Sequence, residues 1–132
     1  MHLNHLYEEI STGNATLGAI WIYCEAPDYR LVDDEDEGFT CVDDVARALV
    51  FYCRHFNEHP SPDILEKIQT LSEFLLYMQA ESGYFYNFML PDRQINTTHI
   101  NSVEGPHWWS WRALWALSEL NLLKAGELNE LQ

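Results

Sequence analysis

Positive charge is what this 132-residue chain has least of: 7 Lys and Arg stand against 21 Asp and Glu, a formal net charge of −14. Cations that displace phosphate counterions are the basis of ordinary nucleic-acid binding, so that class is excluded. The same sign argues against anionic membrane surfaces. Backbone breakers are also few, 6 Gly and 5 Pro, while 47% of residues are apolar and 14% aromatic. Disordered chains have the opposite balance, so a buried core is expected despite the charge. The length suits one domain, which would bury roughly 68% of its unfolded surface if compact.

Cysteine is sparse: Cys24, Cys41 and Cys53 form no CxxC pattern. An odd count without that spacing fits neither a disulfide framework nor a zinc cluster, and the three read as small buried hydrophobes. No apolar run approaches the roughly 20 residues of a membrane span, and no charged start with an apolar signal core lies near Met1. The opening MHLNHLYEE reads as a cut into a longer protein. Localisation therefore stays unknown, and a secreted or periplasmic parent is compatible with the sequence.

Leu3, Leu6, Tyr7 and Ile10 have helical spacing, and the Ser-Thr-Gly-Asn cluster at 11–14 breaks it, predicting a short helix and a turn. Around Ile20 to Tyr23 the chain is β-branched and aromatic until Pro27, predicting an extended segment, and the carboxylate-packed stretch 33–38 predicts a loop. Val42 to His59 predicts a helix with Asp43 and Asp44 in its first turn, where carboxylates suit the helix dipole. Its VARALVFYC run is apolar almost all round, as in a helix buried on most sides. Ser61-Pro62-Asp63 is an N-cap, a first-turn proline and an acidic residue, opening a helix over 62–81 with Ile64, Ile68, Leu71, Leu75 and Met78 in one stripe. A 26-residue connection follows from Tyr84 to Trp109, long enough to suggest function. A third helix is predicted from about Ser110 to Lys124, apolar all round, with Gly126 as its C-cap.

ARALVF at 46–51 is echoed by WRALWA at 111–116, with Arg47 and Arg112 spaced 65 residues apart. Two buried helices with an amphipathic one between them suggest helical hairpins in two layers, although Arg-Ala-Leu is also common helix vocabulary. CVDDVARALVFY, GYFYNFM at 83–89 and GPHWWSWRALWAL together resemble the six-hairpin glycosidase-like α/α toroids of carbohydrate-active proteins, over roughly residues 38–120. The resemblance implies a mainly α fold: a partial toroid of about two helical hairpins with a short N-terminal extended segment. The whole chain, 1–132, would be a single partial domain, with the helix, extended segment and acidic loop in 1–40 and the hairpins in 41–132. It implies an N-terminal fragment of a glycoside hydrolase-like protein, inactive alone, or else a non-catalytic sugar-binding or glycosyltransferase-accessory module. The remainder of the ring would be missing, so inner faces would be exposed and self-association is expected. One departure is the stretch Asn-Ser-Val-Glu-Gly-Pro-His-Trp-Trp before the second arginine helix, which displaces Glu104 from the family's usual acidic position.

Glycoside cleavage needs a carboxylic acid to protonate the leaving oxygen and a carboxylate to activate water, roughly 6.5–9.5 Å apart when inverting. Asp44 and Glu104 are the acid/base candidates with Asp43 in support; the alternative is that Asp43 and Asp44 only complement the helix start. Tyr84, Phe85, His107, Trp108 and Trp109 are candidate saccharide contacts, since flat aromatic faces cover the C–H faces of sugars; the alternative is that they are core. The acidic rim favours a neutral or weakly basic saccharide over a uronate. His99 and His107 show no metal-binding spacing. Asp33, Glu35, Glu37, Gly38 and Asp44 match an EF-hand loop poorly, so calcium affinity no better than millimolar is expected. Neither a cofactor nor a metal is called for.

Overall fold

The computed structural model describes residues 2–124. It opens with helix α1 (His2–Leu6), then strands β1 (Tyr7–Thr12), β2 (Ala15–Ile20), β3 (Tyr23–Glu25), β4 (Arg30–Val32) and β5 (Thr40–Cys41). Helices α2 (Val42–Glu58) and α3 (Pro62–Tyr77), strand β6 (Phe88–Met89) and helix α4 (Trp108–Glu119) follow, and a 3₁₀ turn spans Leu120–Leu122. The strands form three two-stranded antiparallel ladders, β1 with β2, β3 with β4 and β5 with β6.

Among the described residues this is a mixed α/β fold, 43% helical and 21% strand, which corrects the expected mainly α partial toroid. The error starts at the N-terminus. Helical spacing continues to Ile10, but helix ends at Leu6 and β1 pairs with β2 from Tyr7↔Ile20 to Thr12↔Ala15. The overlooked signal is the two-residue Gly13-Asn14 turn. Gly13 has φ +57, and a positive φ at the first central position of a two-residue turn matches the twist of a hairpin. β2 then lies on α3, where Gly18 permits close approach: a Cβ there would come within 2.7 Å of Thr70 Oγ1 and 2.9 Å of the Leu71 nitrogen. Across the same contact the Tyr7 and Thr70 hydroxyls are 2.7 Å apart.

The central helices follow their local signals. α2 spans almost the expected range, and α3 begins with Ser61 Oγ accepting the Ile64 N–H at 3.2 Å, with proline in its first turn. Ile68, Leu71, Leu75 and Met78 are buried as the stripe requires. α4 starts two residues early and tightens into the 3₁₀ turn, while the Gly126 cap lies outside the described residues.

Hydrogen bonds set the directions of the helices. Asn87 joins the start of α2 to the loop after α3: its carbonyl accepts the Val42 N–H at 2.8 Å, and neighbouring Tyr86 donates to the Met78 carbonyl at 3.0 Å. The C-terminal end of α3 therefore meets the N-terminal end of α2, making the pair antiparallel. Ion pairs from Asp43 to Arg112 and from Glu119 to Arg54 advance together, so α2 and α4 run side by side in the same direction. Among the described residues no helix is long and apolar enough to cross a membrane.

Candidate functional site

The long connection is held by buried polar side chains rather than by regular structure. Ser102 Oγ accepts the Phe88 N–H at 2.8 Å and donates to the Asn96 carbonyl at 2.6 Å. Asn96 Nδ2 donates to the Asp36 and Glu37 carbonyls, closing the acidic segment against the loop. Asn87 Oδ1 accepts the Asp43 N–H at 3.3 Å, so the side-chain cap of α2 comes from a residue 44 positions later. Buried polar networks of this kind fix a single loop conformation when every member is paired.

Asp43 and Asp44 then meet arginine. One guanidinium nitrogen of Arg47 donates to Asp43 Oδ2 at 3.0 Å and to Asp44 Oδ1 at 2.9 Å. Arg112 Nε lies 2.8 Å from Asp43 Oδ1, a buried oxygen with no aligned hydrogen-bond donor, so this contact is coulombic. The two arginines of the ARAL and WRAL echo thus converge on one carboxylate. Partial burial works against the charge of Arg47, but Asp43 and Asp44 outweigh it and raise its pKa further above neutrality. Behind them, burial and then the charges of Asp44 and Asp43 push the Cys41 thiol well up, keeping it neutral.

Two open grooves run along the exposed side of α2 and share Arg47 and Phe51. The first, about 430 Å³, is lined by Leu3, Leu6, Ile20, Trp21 and Ile22 on the N-terminal side and by Asp44, Arg47, Ala48 and Phe51 of α2. The second, about 440 Å³, lies between α2 and Trp115 of α4 and carries Arg54, His55 and Glu58. Trp21 is fixed by donation from its indole to Glu8 at 2.6 Å and by its tilted contact with Phe39.

Among the candidate residues, Asp44 alone lines either of these two grooves. Asp43 is taken up by the two arginines. Glu104 accepts a 2.6 Å hydrogen bond from Ser82 Oγ, beyond the C-terminal end of α3 and thus at the end where α2 and α4 begin. Tyr84 stands edge-on to Trp111 at that end, and Trp108 is exposed against Trp109. Phe85 and Trp109 are buried, the Trp109 indole donating to the Phe85 carbonyl at 2.7 Å, so they brace the loop. His107 rests on Trp109 with ring centres 4.4 Å apart.

Sequence reasoning missed Arg47, Arg112, Phe51 and Trp21 as site residues. The i, i+4 spacing of Asp43 and Arg47 and the shared position of both arginines in the echo were the available signals; nothing local pointed to Trp21. In the acidic segment Asp34 Oδ1 accepts the N–H groups of Asp36 and Glu37, a local turn contact. Among the described residues no three His, Cys, Asp or Glu side chains gather to hold a metal ion.

Fold and site together define a small mixed α/β unit with a half-apolar groove headed by an Asp–Arg pair. No protein-family model matches the chain, and the curated proteins contain no match to it.

Proposed function

We propose that the chain contributes a saccharide-binding groove to a carbohydrate-active, glycoside hydrolase-like protein. The observation that carries this reading is the makeup of the first groove. Asp44 and Arg47 form its polar wall, and Trp21, Phe51 and aliphatic side chains form the rest, in a volume within the usual ligand range. A sugar ring needs that division: C–H faces cover aromatic surface, and hydroxyls bond a fixed carboxylate and guanidinium. Because Asp43 and Asp44 are balanced by Arg47 and Arg112, the ligand at this end is a neutral saccharide. The CVDDVARAL and GYFYNFM resemblance points to the same ligand class.

A second reading, glycosidic cleavage by Asp44 and Glu104, is favoured by both residues standing at the end where α2 and α4 begin. The two readings separate experimentally. Calorimetric titration of the full chain with a panel of neutral disaccharides is expected to give binding that Asp44→Asn or Phe51→Ala weakens at least tenfold, with Glu104→Gln unchanged. Release of reducing ends abolished by Glu104→Gln would favour cleavage, as for groups that move protons in the transition state. No heat from any saccharide at about 10 mM, where even millimolar sites are occupied, would overturn both.

A further inference from the structure

The second groove is as large as the first, about 440 Å³ against about 430 Å³, and continues it along α2 through Arg47 and Phe51, which line both. Asp44, Arg47, Phe51, Arg54 and Glu58 follow one another at intervals of three and four residues, so they form one line on the helix. Fourteen residues of α-helix carry that line about 21 Å, longer than one sugar ring or a linked pair. Phe51 from α2 and Trp115 from α4 are each about two-fifths exposed where they line the second groove. The His55 ring is inclined only 10° to that of Phe51, ring centres 5.8 Å apart, so the two form one stacked surface.

From this continuity we infer that the two grooves are one cleft for a linear, neutral oligosaccharide laid along α2, with Arg54 and Trp115 contacting sugar units beyond those held at Asp44. The inference rests on the saccharide reading of the first groove and extends it to the length of the ligand. Two features select this occupant. The first is that the division of labour repeats: Phe51 and Trp115 offer flat apolar faces, and Arg47 and Arg54 offer donors beside them. Among the described residues each guanidinium is anchored through one terminal nitrogen, Arg47 by Asp43 and Asp44 and Arg54 by Glu119 at 3.0 Å, and both side chains are more than half exposed. Their other N–H groups are therefore positioned donors for sugar hydroxyls. The second feature is charge. Those carboxylates already balance both arginines, and Glu58 adds a negative charge to the groove, so an acidic chain meets repulsion where a neutral one does not. Linked sugar units gain from such a cleft because the first contact bears most of the cost of association and each later contact adds to it.

Calorimetric titration of the full chain with cello-, malto- and mannooligosaccharides of two, four and six units tests this. At least one series is expected to bind tenfold or more tightly as the hexasaccharide than as the disaccharide. Trp115→Ala is expected to remove that gain while leaving disaccharide affinity within twofold. Trp111→Ala, an exposed tryptophan of the same helix that lines neither groove, is expected to leave every length unchanged. Should Trp115→Ala lose its far-ultraviolet spectrum, Trp115→Leu keeps the bulk without the flat face and is expected to remove most of the gain. Disaccharide binding with no gain in length would overturn the inference and leave the reading of the first groove in place. A gain insensitive to substitution of Trp115, or one lost in Trp111→Ala, would overturn it as well. Absence of heat at every length would overturn both.

Discussion

α2 and α4 are written in the same vocabulary, ARALVF and WRALWA, yet the fold treats them differently. α2 is wedged among β2, α3 and α4, burying Val42, Val45, Ala46, Leu49, Tyr52, Cys53 and Phe56 and leaving only a narrow wet strip from Asp44 to Glu58. α4 has one neighbouring helix among the described residues, so half of an equally apolar surface stays in water. The apolar content of a helix thus states how much surface needs covering; the number of neighbouring elements decides how much is covered.

The largest test of the contrast sets the two faces of α4 against each other. Trp109→Ala empties a fully buried site and removes the donor to the Phe85 carbonyl, and is expected to cost about 3–5 kcal/mol in chemical denaturation. Trp111→Ala, 53% exposed, is expected to cost less than about 1 kcal/mol at dilute protein concentration. Equal costs would mean that the outer face of α4 is packed like the inner one.

A smaller effect is expected at the seam where the helices begin. Asp43→Asn keeps the shape but leaves Arg47 and Arg112 without their shared charge, and is expected to cost about 1–3 kcal/mol. A double-mutant cycle with Arg112→Met should then show coupling between the two positions. Additive costs would mean that the echo arginines do not tie the helices together.

The smallest is a pH effect at the other end of the seam. Burial first and the charge of Glu119 second push the Cys53 thiol up to about 12 from an ordinary value of 9.0. Burial and Asp63 likewise carry the Tyr52 hydroxyl to about 12 from 10.0. Both groups keep their protons in the folded chain at pH values where the unfolded chain loses them. Stability is therefore full below about pH 9 and falls as pH rises toward 12, because the unfolded state binds fewer protons there. Cys53→Ala should flatten the lower part of that decline in denaturation curves taken from pH 8 to 11; an unchanged slope would show that the thiol is not sealed between α2 and α4.

Much of the helical part was legible because its signals are local. Ser61-Pro62 starts α3, the carboxylates mark the start of α2, and the stripe from Ile68 to Met78 names its buried face. The N-terminal hairpin was not legible by the same route, because Leu3, Leu6, Tyr7 and Ile10 satisfy helical spacing while the deciding feature is Gly13-Asn14, two residues that permit β1 to fold back on β2. The candidate site was half legible. Asp44, named from the sequence, lines the first groove, but Trp21 reaches that groove only through the β2–β5 region, and Phe85 and Trp109 cannot be told from ligand-facing aromatics until their surroundings are known.

By itself the sequence determined what acts within a few residues: where α2 and α3 begin, which face of α3 is apolar, and that residues 33–38 form a charged loop. The tertiary structure alone decided that Asn87 caps α2 from 44 residues away, that two arginines 65 residues apart share Asp43, and that the tryptophans of α4 point outward. Capping, dipole and turn energies depend on near neighbours along the chain, whereas burial and ion pairing depend on which distant segments arrive, and the chain order does not record that.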